Sequence, residues 1–177
     1  MYTLPHTIEN THGEKLIFQR IVGDRLEVEG FVQPGAGPTM HVHWKQDESL
    51  TVVSGKMAIE ILGESPKYYG PGETATFMRG TWHRFWNCGE EHLHIKGWIN
   101  PPNNIVFFLS ELYKALDKGQ NGRPELMTTA FLATRYRSEF GVHGIPVFVE
   151  KVIIPIQYVI GTITGAYKKY KDAPAPI

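Results

Sequence analysis

The first hundred residues alternate between short apolar runs and turn-forming residues. Glycine, proline, asparagine and aspartate separate the runs, most densely at 34–38, 63–66 and 70–72. The runs are of strand length and rich in β-branched and aromatic side chains; they cover 16–18, 26–31, 50–53, 57–62, 74–77, 83–86 and 93–99. Many short strands at nearly regular spacing predict an antiparallel sandwich or barrel, which would end at Asn100 because two prolines follow it.

Beyond the two prolines, apolar residues no longer recur at every second position but at the spacing of a helix. Apolar side chains repeat at positions 105, 108, 109, 112 and 116, which predicts a first helix. Pro124 indicates the first turn of a second helix that ends by Gly141, and Pro146 opens a third. The sequence therefore predicts a barrel domain over 1–102 and an extension of about three helices over 103–177, packed on the barrel or on a partner subunit.

The composition limits the classes of protein to which this chain can belong. A chain of 177 residues with 42% apolar and 20% charged residues can build a packed core. Its 18 basic and 18 acidic residues cancel, which argues against a dedicated nucleic-acid binder. Cys88 is the only cysteine, so an internal disulfide framework is excluded. The first residues lack the charge and apolar pattern of a secretory signal, so we expect a cytoplasmic protein.

Two histidines and a carboxylate lie close together in the first half. His41 and His43 are two residues apart on a predicted strand, so their side chains point to the same face. Glu48 begins the next apolar run, and a hairpin would fold its carboxylate onto that face. Imidazole and carboxylate donors without a thiolate suit a divalent first-row metal. His83 can supply a third imidazole, which leaves two positions of an octahedral ion for water, dioxygen or substrate.

These residues belong to two spaced motifs that resemble those of the cupin superfamily. The pattern G(x)5HxH(x)4E(x)6G begins at Gly35, and G(x)5MxG(x)2H(x)3N begins at Gly72. Met78 stands where the family has a proline that shapes a turn and binds no metal. Sixteen residues separate the motifs, as in small single-domain cupins of the cupin-2 type. The resemblance covers about residues 14–100.

The resemblance implies a mainly β fold, an antiparallel double-stranded β-helix or jelly roll, followed by the helices. It implies that one divalent transition metal ion is held by His41, His43, Glu48 and His83, a ligand set that suits Fe, Mn, Ni and Zn alike. It also implies a small-molecule ligand and, as in many cupins, a homodimer. Two functions stay open: a dioxygenase-like or isomerase-like metalloenzyme, and a non-catalytic small-molecule-binding or sensor protein.

Further site candidates come from the residues around the motifs. Glu48 and His94 are candidates for catalytic proton transfer, although His94 reaches the pocket only if the strand places its apolar residues outward. Phe85 could stack on a substrate, Asn87 could hydrogen-bond it, and Arg79 could hold an anionic group.

An uncharged stretch of 16 residues, 152–167, lies inside the third predicted helix. Gly161 and Gly165 give it the GxxxG spacing of packed membrane helices, and three lysines follow it. One interpretation is a peripheral or short spanning membrane helix. Sixteen residues rise only about 24 Å, however, which is short of a hydrocarbon core of about 30 Å, and Pro155 should kink the helix. We therefore expect burial against protein of Val152, Ile153, Ile156, Val159, Ile160 and Ile163, with a frayed tail over 172–177.

Overall fold

Two antiparallel sheets form the first part of the molecule, as the strand pattern predicts. The computed structural model describes residues 2–120 and 123–177. Its strands are β1 (His6–Asn10), β2 (Glu14–Val22), β3 (Arg25–Val32), β4 (His41–His43), β5 (Asp47–Ser54), β6 (Met57–Ile61), β7 (Lys67–Tyr69), β8 (Thr74–Phe77), β9 (Trp82–Asn87), β10 (Leu93–Asn100) and β11 (Phe140–Val142). One sheet has the order β1-β2-β3-β10-β5-β8 and the other β11-β4-β9-β6-β7. The predicted mainly β jelly-roll architecture with C-terminal helices is confirmed.

Strict alternation along the strands creates the barrel interior. In β3, Leu26, Val28 and Val32 are buried, whereas Glu27 and Glu29 point to the other face. Such a period of two is the signature of a half-buried strand. Leu50, Val52, Met57 and Ile59 belong to the core between the sheets, and Phe85 packs against it half-buried.

A second apolar cluster joins the six-stranded sheet to the helices. It contains Phe18, Leu26 and Ile99 from the six-stranded sheet together with Ile105 and Phe131 from the helical part. The helical elements are α1 (Ile105–Lys118), α2 (Leu126–Arg135), a π-helical turn (Val149–Ile153), α3 (Ile154–Ile163) and a 3-10 segment (Ala166–Tyr170). The extension therefore shares an apolar core with the six-stranded sheet.

The second helix differs from its prediction at both ends. It begins after Glu125, whose carboxylate accepts hydrogen bonds from the backbone N–H groups of Met127 and Thr128, so Pro124 precedes the cap and is not in the first turn. The helix ends at Arg135, and β11 follows and pairs with β4. A three-residue strand centred on a glycine carries no periodic signal, so the sequence did not reveal it.

The third predicted helix is three shorter elements. Pro155 lies in the first turn of α3, behind the π-helical turn, and does not kink a continuous helix. Gly165 has φ of 75°, a left-handed conformation that ends the helical path and favours glycine. A Cβ on Gly161 would lie 2.4 Å from Cζ of Tyr167. The GxxxG spacing thus has a local explanation, because one glycine turns the chain and the other receives the tyrosine ring.

The prediction that the uncharged stretch is buried is wrong for the single chain. In α3, only Ile154 and Gly161 are buried; Val152, Ile156, Val159, Ile160 and Ile163 are exposed, the last at 80%. Within the described residues, no helix combines the length and the apolar character that a membrane crossing requires.

The C-terminal tail is held in place where fraying was expected. Tyr136 donates from its hydroxyl to the carbonyl of Pro174 at 2.8 Å, and Asn104 donates from its side-chain amide to the carbonyl of Ala175 at 2.8 Å. The backbone N–H of Ile177 donates to Glu139 at 3.1 Å. These side chains satisfy the extended backbone of the tail as a neighbouring strand would.

Candidate metal centre

Four side chains from both sheets converge between them. His41 and His43 share the inner face of β4, while Val42 points to the opposite face. His41 lies opposite His83 in the pairing of β4 with β9, and Glu48 comes from β5 in the other sheet. Each of the four offers a donor atom, and these atoms all lie within 4.8 Å of one another. His43, Glu48 and His83 are buried, whereas His41 is partly exposed.

Backbone carbonyls orient two of the imidazoles. Nδ1 of His41 lies 2.8 Å from the carbonyl oxygen of Thr39, and Nδ1 of His83 lies 2.9 Å from that of Thr81. We assign the Nδ1–H tautomer to His41, since an Nδ1–H donates to a carbonyl and leaves the Nε2 lone pair free. His83 would take the same tautomer with a metal on Nε2, whereas without a metal its Nε2–H donates to Glu48. Each carbonyl belongs to the residue two positions earlier, so the local strand geometry holds the ring.

The spacing of the donor atoms suits an ion. Nε2 of His83 lies 3.1 Å from Oε2 of Glu48. Two ligands about 2.1 Å from one ion and at right angles to each other are about 3.0 Å apart. Among the described residues, Nδ1 of His43 is buried without a hydrogen-bond partner, and such an atom is costly unless something binds it. The donor set and its spacing therefore fit a divalent metal.

Charges in the cluster also favour a cation. Burial, together with the nearby His43 and His83, lowers the pKa of His41 to about 3. Burial likewise lowers the pKa of His43. Burial alone would raise the pKa of Glu48, but the hydrogen bond with His83 and the nearby histidines outweigh it and lower the pKa to about 2. At neutral pH, His41 and His43 are thus neutral imidazoles and Glu48 is an ionised carboxylate, which are the states that bind metal.

Aromatic rings surround the four residues. Phe77 stacks on His83 with ring centroids 4.0 Å apart, and Phe140 meets His43 edge-on at 5.7 Å. Phe108 of α1 stacks in turn on Phe140 at 4.2 Å. The helical extension therefore supplies part of the wall. The sequence placed Phe108 on the apolar face of a helix but gave no signal that Phe140 would return to the barrel.

The half-buried side chain of Tyr113 in α1 packs against the apolar cluster that joins the six-stranded sheet to the helices. Burial raises the pKa of Tyr113 well above its ordinary value, and the charges of Glu14 and Glu48 raise it further. The Tyr113 hydroxyl therefore keeps its proton at neutral pH, and the Glu48 charge is one of the causes. The sequence motifs gave no indication of this residue.

His94 lies outside the barrel, which contradicts its role as a proton donor at the site. Leu93 and Ile95 fill the core, so His94 points to the opposite face. There Nε2 of His94 lies 2.7 Å from a carboxylate oxygen of Glu29, and its ring stacks on Phe31 at 4.5 Å.

The three residues predicted to contact a substrate make other contacts in the structure. Arg79 forms a two-pronged ion pair with Asp47, at 3.0 and 2.7 Å. The side-chain amide of Asn87 donates to the carbonyls of Val32 and Glu91. Phe85 packs into the core. These contacts explain all three residues structurally, and none of them joins the four-residue cluster.

Comparisons with known proteins agree with this architecture. Residues 29–99 match the family model described as "Cupin domain". A curated protein of Hypocrea virens, named "Probable oxidoreductase virH", is 32% identical over 68 residues, which are 37% of this chain and 31% of that protein. The chain thus matches less than a third of that relative's length.

One solved structure shows a similar fold. KdgF from a Halomonas species aligns with a TM-score of 0.52 and 21% identity, over 57% of this chain and 90% of KdgF. A sugar phosphate isomerase from Silicibacter pomeroyi aligns with a TM-score of 0.45 and 21% identity, over 50% of this chain and 59% of its own.

Proposed function

This chain contains a cupin domain of the cupin-2 type over residues 29–99, and on that premise we propose that it is a metal-dependent protein acting on a small organic molecule. The observation that carries the proposal is the convergence of His41, His43, Glu48 and His83, with donor atoms within 4.8 Å of one another. These four residues would hold one divalent transition metal ion, and an octahedral ion would keep two positions for ligands from outside. The cupin fold itself is common among proteins that bind small molecules.

The chemistry at such a site divides between the ion and the side chains. A bound divalent ion supplies Lewis acidity to a coordinated oxygen. Glu48 is ionised and able to accept a proton from a ligand, while the Tyr113 hydroxyl holds a proton that it can share. Phe77, Phe108 and Phe140 exclude water, which strengthens electrostatic interactions inside the site.

We favour a metalloenzyme over a non-catalytic module. The half-buried Tyr113 hydroxyl, whose pKa the Glu48 charge helps to raise, would supply a proton donor outside the ligand set, which a pure binding site does not need. The curated relative is named as a probable oxidoreductase, which supports an oxidoreductase before an isomerase. The aromatic wall supports the second candidate, a sensor that binds a small molecule without turnover.

Metal analysis of freshly purified full-length protein tests the proposal. We expect about one ion per chain, and we expect His41→Ala to remove most of it while the protein stays folded. His94→Ala is the matched control, because this histidine lies on the outer face and should leave the metal content unchanged. Wild-type protein without metal, even after loading, would refute the proposal.

A second assay separates the two candidates. Oxygen uptake with candidate metabolites should occur with wild-type protein and fall at least tenfold in Tyr113→Phe if the phenol transfers a proton. Binding of a metabolite without turnover would favour the sensor.

A further inference from the structure

The segment from the π-helical turn to the end of α3 presents an apolar stripe to solvent. Its exposed side chains recur every three or four residues between 148 and 163: Phe148, Val152, Ile156, Val159, Ile160 and Ile163. Their exposed fractions run from 36% for Val152 to 80% for Ile163. In a helix this spacing keeps side chains on one side. Exposed apolar patches of this kind mark interaction surfaces.

The opposite face of α3 is fixed to the rest of the chain. Ile154 and Gly161 are buried, and the ring of Tyr167 occupies the space beside Gly161. The Tyr167 hydroxyl donates to the carbonyl of Met127 in α2 at 3.1 Å. Because these contacts hold one face inward, the apolar stripe faces outward in the folded chain.

The charges next to the stripe are positive. Lys168, Lys169 and Lys171 follow it and are exposed, and the sequence has no acidic residue from 151 to 171. At the other end Glu150 pairs with Lys151 at 3.7 Å, so that end carries no net charge. The surface therefore combines an apolar stripe with a cationic end.

We propose that the stripe, residues 148–163, docks on the surface of a bilayer that contains anionic phospholipid. The helix lies flat in the interface, since only one of its faces is free, and the lysines contact the head groups. A second copy of the chain fits the charges less well. Two parallel stripes would bring the lysines together, and two antiparallel stripes would place each cationic end against an end without net charge.

Vesicle flotation of the full-length protein tests this docking. We expect binding to vesicles of phosphatidylcholine with phosphatidylglycerol, and little binding to phosphatidylcholine alone. Lys168→Gln with Lys171→Gln should weaken partitioning by about fivefold for each lysine at low salt. Equal binding of wild-type protein to both vesicle types, or to neither, would overturn the proposal.

Variants of exposed isoleucines test the stripe itself. Ile156→Glu with Ile160→Glu should weaken partitioning at least tenfold. Ile21→Glu is the matched control, because Ile21 on β2 is 55% exposed and Ile156 is 51% exposed. Ile163→Glu, at the most exposed of the stripe positions, replaces the double variant if that one does not fold. If the stripe variants convert a dimer to a monomer in light scattering and leave flotation unchanged, a second copy is the partner and the proposal is wrong.

Discussion

Glu139 is a buried carboxylate between the barrel and the helical extension, and we predict that Glu139→Ala loosens both. The side chain amide of Asn104 donates to it at 2.7 Å and the backbone N–H of Ile177 at 3.1 Å. Longer bonds come from the backbone N–H of Asn104 at 3.3 Å and from Gln46 at 3.5 Å. Gln46 belongs to the loop that connects the metal-site residues His43 and Glu48, so the carboxylate also supports the site.

The expected magnitude follows from these contacts. A hydrogen bond to a charged group contributes about 1.5–3 kcal/mol, so the two shorter bonds contribute about 3–6 kcal/mol. Removal of a buried charge relieves a desolvation penalty and offsets part of this loss. We therefore expect Glu139→Ala to lower the free energy of unfolding by about 2–4 kcal/mol.

Urea unfolding followed by tryptophan fluorescence measures this change. Glu90→Ala is the control, since Glu90 is exposed, and it should change the free energy of unfolding by less than about 0.5 kcal/mol. Metal affinity should also fall in Glu139→Ala because the Gln46 loop loses its support. A change in unfolding free energy no larger than that of the control would show that Glu139 does not join the two parts.

Three further predictions follow from single contacts. Phe140→Ala should lower the free energy of unfolding by about 3–5 kcal/mol in thermal or urea unfolding, because the ring is buried against the barrel and the helices; a loss below about 1 kcal/mol would contradict this packing. Metal-free protein should lose stability in urea unfolding as pH falls from about 6.5 toward about 3. Folding lowers the pKa of His41 from 6.5 to about 3 and also lowers that of His43, so the unfolded chain binds protons at a higher pH than the folded chain does. A free energy of unfolding that rises as the pH falls over this range would refute the assignment. Gly161→Ala should destabilise the protein by about 1–3 kcal/mol, and Tyr167→Ala in the same chain should relieve the clash; an additive loss in the double variant would contradict the contact.

More of the site than of its surroundings could be predicted from the sequence. The motif spacing identified His41, His43, Glu48 and His83, which the structure brings together, because strand periodicity and a hairpin are local rules. Phe140 approaches the site through long-range packing of the helical extension, which no local pattern records. His94 was ambiguous because one residue of register decides which face it occupies, and the apolar neighbours resolve this only in the folded core.

The helical extension also shows what a local sequence pattern cannot predict. Prolines and apolar spacing predicted helical segments, yet β11 is too short for a periodic signal. The uncharged stretch was predicted to be a buried helix, because hydropathy does not show which face of a helix the rest of the chain covers. Only the contacts of Tyr167 and α2 reveal that the apolar stripe of α3 points outward.

The central claim, one metal ion bound by the four-residue cluster, is tested most directly by an anomalous-difference map of a metal-loaded crystal collected at the absorption edge of the bound element. We predict a single strong peak between the sheets, about 2.0–2.2 Å from one donor atom each of His41, His43, Glu48 and His83. A map without a peak there, or with the four side chains turned away from the ion, would contradict the claim.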